Sequence, residues 1–256
     1  MPNTLVCVKQ VLDEMEIRVD KETRSLIIED VPIKLSTIDR NALEEAVRIK
    51  EKHGGTVTVV TISSKMPVDE KVMKEAVAMG ADAACIVNTD SELDPLDTAK
   101  LIAEVYKKRN YDLVLLGEGS NDEYNCAVGP MVAELLGLPV ITFVKRIEVA
   151  DGRIIAERDL EDRVVTVEAP LPAVVTVVNE INEPRIPTLI QVIKASKKPL
   201  TKYTPADLGV ELGAKDRREV KKIEAFYKER KGVIIEEENP EEAVKKLLEY
   251  IKEVIS

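Results

Sequence analysis

The chain has no tryptophan, two phenylalanines and a single histidine, so few side chains are available for aromatic stacking or imidazole chemistry. The lone His53 stands before Gly54 and Gly55 at the end of a helical pattern, where an imidazole can meet the last carbonyls, and it reads as a cap rather than a catalytic base. With no second histidine and no G-x-S-x-G context around Ser63, Ser64 or Ser120, a Ser-His-Asp hydrolase is excluded. Cys7, Cys85 and Cys126 are far apart and form no C-x-x-C pair, which argues against a disulfide framework and against a zinc or iron–sulfur site. No metal ligands are expected. Basic excess is also missing: 37 Lys and Arg face 47 Asp and Glu, a net charge of -10, so nucleic acid and anionic lipid are not expected partners. No apolar run approaches the roughly 20 residues that cross a bilayer, and the start runs straight into a strand, so a cytoplasmic chain without direct membrane insertion is expected.

What is present is regular alternation. Apolar runs Leu5–Val8, Val57–Ile62, Ala84–Val87, Leu113–Leu116 and Val140–Val144 are separated by helical patterns at about 39–53, 67–79, 95–108 and up to Leu136. This predicts an α/β fold of the Rossmann-like kind, a parallel sheet with helices on both faces. Ile38, Ala42, Ala46 and Ile49 share one face with Leu43 and Val47, and Gly54, Gly80 and Gly137 follow helix ends. A small β insertion is expected around Asp20–Ser25, and further strands at 153–156, 164–167 and 173–178. Residues 1–199 are expected to form the α/β domain. Residues 200–256 read as a C-terminal arm whose last helix, opened by Asn239 and Pro240, carries the apolar stripe Val244, Leu247, Leu248, Ile251 and Ile255. That stripe would cover either the domain itself or another subunit.

The most informative segment runs from Gly117 to Pro130, between an apolar strand and a helix start. The first turn of a helix leaves backbone N–H groups unpaired and carries the positive end of the helix dipole, which together attract phosphate. Gly117, Gly119 and Gly129 would let a ligand approach, whereas Glu118, Asp122 and Glu123 would repel a pyrophosphate, and a plain strand-to-helix connection is the competing reading. In an open parallel sheet the ligand crevice lies at the carboxyl ends of the strands, which would gather Cys7–Lys9, Ser63, Ser64, Ser36–Asp39 and the Gly117–Gly129 turn. No acid–base pair can be inferred from spacing, so a bound cofactor is expected to carry the chemistry.

Several stretches resemble the electron transfer flavoprotein beta subunit: Leu5-Val-Cys-Val-Lys-Gln-Val11, Asp39-Arg-Asn-Ala-Leu-Glu-Glu-Ala46, Ala78-Met-Gly-Ala-Asp82 and Asp112-Leu-Val-Leu-Leu-Gly117. Pro172-Ala-Val-Val-Thr176, Asn182-Glu-Pro-Arg185, Thr188-Leu189 and Ala195-Ser-Lys-Lys198 are similar to that family in content and spacing, and the likeness covers about residues 3–210. The resemblance implies an adenine nucleotide alpha hydrolase-like domain, an alpha-subunit partner carrying its own FAD, and a crevice in this chain holding a second FAD or an AMP. By position it implies nucleotide contacts from Cys7, Ser36, Thr37, Ile38, Asp39, Ser64, Asp122, Glu123, Tyr124, Asn125, Cys126, Ala127, Val128, Gly129, Met131 and Ala133. Val128-Gly-Pro130 is similar to members that bifurcate electrons, which favours FAD and makes NADH a candidate donor; Ala127 stands where those members have glutamine, and Ser36 where an asparagine is common. Glu183, Pro184, Arg185 and Leu189 fall in a loop that the resemblance implies docks dehydrogenase or quinone-reductase-type partners. The alternatives are a simple electron carrier with a structural AMP and a universal-stress-type nucleotide sensor.

Overall fold

The computed structural model describes residues 1–64, 68–213, 220–226 and 232–255. Its order is β1 (Thr4–Cys7), β2 (Gln10–Leu12), β3 (Arg18–Val19), β4 (Leu26–Ile27), β5 (Ile33–Leu35), α1 (Thr37–His53), β6 (Val57–Ser64), α2 (Glu70–Ala78), β7 (Ala83–Thr89) and α3 (Pro95–Lys107). It continues with β8 (Leu113–Gly117), α4 (Val128–Leu136), β9 (Val140–Ala150), β10 (Arg153–Leu160), β11 (Arg163–Pro170), β12 (Ala173–Val177), α5 (Leu189–Ala195), β13 (Leu200–Tyr203) and α6 (Pro240–Ile255).

One nine-stranded sheet dominates, in the order β11-β10-β9-β12-β8-β1-β6-β7-β13. Strands from β9 to β13 in that order run parallel, and the antiparallel pairings of this sheet are β9 with β10 and β10 with β11. The expected α/β fold is therefore present. Side chains alternate across a strand, and β1 with the following Val8 shows it: Val6 and Val8 join a core with α1 and α2, while Leu5 and Cys7 join a second core with α3 and α4. Helices thus cover both faces. From β1 the chain builds outward through β6 and β7, then returns through α3 to place β8 on the other side of β1. Strand order reverses between β1 and β8, which is where an open α/β sheet opens a crevice.

Three features differ in extent from the sequence expectation. β9 runs on to Ala150 because β10 turns back along it, and the two pair through Arg153–Arg158 with a bulge near Arg158. β2 and β5 form a separate two-stranded sheet. Leu200–Tyr203, expected to open the arm, is instead a parallel edge strand on β7, with the Ala84 N–H donating to the Pro199 carbonyl at 2.9 Å.

The chain divides into two compact units, Met1–Arg18 with Ile27–Lys221, and Val19–Leu26 with Lys222–Ser256. Within the second, the Ala225 N–H donates to Arg24 O at 3.0 Å, and α6 starts as expected, with Asn239 Oδ1 accepting from the Glu241 N–H at 3.0 Å. Val244, Leu247, Leu248 and Ile251 are exposed along α6. Pro67, the Ile255 side chain and most of the charged stretch 215–231 lie outside the described residues. Among the described residues no helix is long and apolar enough to cross a membrane.

Candidate functional site

A single carboxylate ties the sheet together at the switch point. Asp39, in the first turn of α1, is 7% exposed. Its Oδ2 accepts from the Lys9 backbone N–H at 2.7 Å and its Oδ1 from the Gly117 N–H at 3.1 Å, joining the ends of β1 and β8. Burial pushes the Asp39 acid up to about 7, against the pull of those two donors and of the Lys9 ammonium.

The start of α1 is capped from a distance. Ser36 occupies the cap position, but its side chain makes no capping bond to its own helix. Asn121 Oδ1 instead accepts from the Thr37 N–H at 2.7 Å, the Thr37 hydroxyl at 2.9 Å and the Ser36 hydroxyl at 3.0 Å. Its amide donates onward to Glu14 Oε1 at 3.1 Å, so one side chain joins three segments. Replacing Asn121 with Ala is expected to cost about 1 kcal/mol, the usual worth of a cap, read as a lower urea midpoint of the folded chain; an unchanged midpoint would refute the role.

The turn from Gly117 to Ala127 is held mainly by its own polar groups. The Ser120 hydroxyl donates to Asp122 Oδ1 at 2.5 Å, the Asn125 amide to Glu123 at 2.7 Å and the Tyr124 hydroxyl to Glu118 at 2.6 Å. That last bond pushes the Tyr124 phenol up to about 12. Burial would raise the Asp122 acid, yet the Lys9 ammonium at 2.9 Å and the Ser120 hydroxyl outweigh it and hold it below its ordinary value. Lys9 also lies 3.8 Å from Glu123. Burial raises the Cys7 and Cys126 thiols, with Asp39 and Glu118 adding to the respective shifts, so neither is a ready thiolate.

The glycines serve the chain's own packing more than ligand approach. A Cβ on Gly117 would lie 2.7 Å from Asp39 Oδ1, one on Gly119 2.8 Å from the Tyr124 ring, and one on Gly129 2.4 Å from the Thr176 methyl group. Gly129 thus lets α4 seat on β12.

These elements line an open cleft. Of the residues expected from the family likeness, Cys7, Asp39, Ser64, Glu123, Asn125, Cys126, Ala127, Val128 and Gly129 line it. Ser36, Thr37, Ile38, Asp122, Tyr124, Met131 and Ala133 do not. Ser36 and Ile38 are buried beneath the cap, Ala133 is buried in the α3–α4 core with Met131 packed against it, and Tyr124 is exposed. Sequence reasoning missed the wall supplied by Leu93, Asp94, Pro95, Thr98 and Ile102 at the start of α3. Asp94-Pro95 after a strand was the available signal, a capping residue followed by a first-turn proline; Asp94 Oδ1 does cap, accepting from the Asp97 N–H at 2.8 Å.

Adenine nucleotide chemistry fits this donor set. Val60, Ile62, Leu93, Ile102 and Leu116 give apolar wall, Ser64, Thr98, Ser120 and Asn125 give neutral polar groups, and Lys9 and the first turn of α4, both in the lining, offer positive potential for phosphate. No group of His, Cys, Asp and Glu among the described residues could hold a metal ion.

The second candidate region, residues 179–189, is pinned to α1. The Asn41 amide donates to the Asn182 carbonyl at 2.7 Å, and the Asn182 amide returns a bond to Asn41 O at 3.0 Å. Arg185 Nε donates to Glu44 Oε2 at 2.7 Å and Nη1 to Glu51 Oε1 at 2.6 Å, while Arg48 donates to the Glu183 carbonyl at 3.1 Å. These carboxylates, Glu51 foremost and then Glu44, hold the Arg185 guanidinium firmly charged. Glu44 is 2% exposed; burial would raise its acid, but Arg185 and Arg48 keep it below the ordinary value. The pinned loop leaves Ile186 at 85% and Leu189 at 76% exposure.

Residues 25–208 match the model of the electron transfer flavoprotein domain. The chain is also similar to the electron transfer flavoprotein subunit beta of Thermoanaerobacterium thermosaccharolyticum, 39% identical over 208 residues that cover 80% of this chain and 79% of the relative. The family match spans the pinned loop and the part of the cleft from Asp39 onward, and on these two likenesses this chain belongs to the electron transfer flavoprotein family, as a beta subunit.

Proposed function

We propose that this chain pairs with an electron transfer flavoprotein alpha subunit to carry electrons between dehydrogenases or NADH and downstream acceptors, and that its cleft holds the adenosine half of a second FAD. The observation that carries this reading is the position of the cleft, at the strand-order reversal between β1 and β8 and against the first turn of α4. When bound, a flavin exchanges electrons in pairs with NADH and singly with other centres, which is what electron bifurcation requires. The chain's own residues bind and orient: Asp39 fixes the two strand ends, the Asn121 cap fixes α1, and the apolar wall keeps water from one side of the ligand. The loop Glu183–Leu189, held by Arg185, offers Ile186 and Leu189 as an apolar contact for dehydrogenase or quinone-reductase-type partners. Family membership favours electron transfer over the nucleotide-sensor alternative.

The deciding experiment is cofactor extraction from the complex purified with its alpha subunit. Two FAD and no AMP per pair is the expected count, with flavin bleaching on NADH addition. One FAD and one AMP would replace the bifurcating reading with a simple carrier whose nucleotide here is structural.

A further inference from the structure

We propose that Lys9 is the side chain that recognises the phosphate adjoining adenosine in this cleft, and that Asp122 restrains it as a competing counter-ion; the assignment rests on the nucleotide reading above. Among the described side chains lining the cleft, Lys9 is the one cation, and the same wall includes the acidic residues Asp39, Asp94, Glu118 and Glu123. An anionic ligand entering so acidic a wall needs a positive partner, and Lys9 is placed to supply it. Its backbone is fixed by the bond to Asp39, whereas its side chain is 38% exposed and spans to the turn before α4, reaching Asp122 at 2.9 Å, Ser120 Oγ at 3.5 Å and Glu123 at 3.8 Å.

A lysine ammonium carries three donors on a flexible stem. It can therefore keep one carboxylate while turning a donor to phosphate, or leave the carboxylate altogether. The exposure of the pair means that little is lost when water or ligand replaces one partner. Asp122 is held independently by Ser120 and by the Glu123 N–H at 2.8 Å, so the turn keeps its shape when Lys9 moves. The phosphate is common to AMP and to the adenosine half of FAD, and the assignment holds for either.

The test is calorimetric titration of the two-subunit complex, freed of bound nucleotide, with AMP and separately with adenosine. The native complex should prefer AMP. Lys9→Met should weaken AMP by roughly ten- to hundredfold, the effect of removing a hydrogen bond to a charged group, and leave adenosine unchanged. Lys9→Arg should keep most of the preference, and Asp122→Asn should strengthen AMP several-fold by freeing the ammonium. Equal loss of AMP and adenosine in Lys9→Met, or no loss of either, would overturn the assignment while leaving a nucleotide site. A native complex that binds neither probe would overturn the nucleotide reading as well.

Discussion

Replacing Asp39 with asparagine is expected to remove a pH-dependent loss of stability of about 4 kcal/mol, the largest single effect foreseen for this chain. The ordinary carboxyl value is 3.8 and the folded value about 7, so the native state holds this proton more tightly than the unfolded chain does. Between about pH 4 and 7 the unfolded chain ionises while the buried acid stays protonated. Stability contributed by Asp39 is thus complete below the unfolded value, falls as pH rises through this window, and levels off above the folded value. Glu44 and Asp122 have lowered values and act in the opposite sense, losing stability only as pH falls through the acidic range. The asparagine amide could not satisfy both backbone donors equally well, a cost that shifts the variant's curve without changing its slope. Urea unfolding of both proteins from pH 4.5 to 8 should show the native curve falling relative to that of Asp39→Asn. Parallel curves would mean that Asp39 is ionised throughout.

Arg185→Ala is expected to destabilise the folded chain by about 3 kcal/mol, because it leaves the buried Glu44 carboxylate with Arg48 as its remaining bonded cation. For a body of this size that is a fall of roughly 6–12 °C in melting temperature. The loop from 179 to 189 should lose hydrogen-exchange protection in the same variant. Leu189→Ala is the control. Its side chain is largely exposed, so its melting temperature should hold within about 1 °C while binding of a dehydrogenase-type partner weakens. If Arg185→Ala leaves stability intact and affects partner binding alone, the guanidinium is a contact rather than a pin. A double-mutant cycle with Glu44→Gln would measure their coupling directly.

Both effects come from residues whose surroundings the sequence did not disclose. Asp39 was legible as a site residue because it begins a periodic helix after a strand and a hairpin. Its burial was not, since that depends on β8 lying beside β1, with Gly117 78 residues away. Arg185 was legible from its Asn-Glu-Pro-Arg setting, but as a docking contact; its partners Glu44 and Glu51 lie 141 and 134 positions off. Asn121 offered no signal at all: an asparagine in a polar turn reads as turn chemistry, and the helix it caps begins 84 residues earlier.

Local chemistry determined the elements. Apolar runs of strand length, a helical stripe from Ile38 to Ile49 and glycine after the ends of α1 and α4 act over one or two turns, so period and composition suffice to place them. They fixed the α/β class, and with family-like motifs they pointed to a nucleotide crevice among the strand ends. Which side of β1 receives β8, which acid is buried and which cation meets it depend on strand order and on bonds across tens of residues. Those choices minimise unpaired polar groups in three dimensions, a condition that no window along the chain can express.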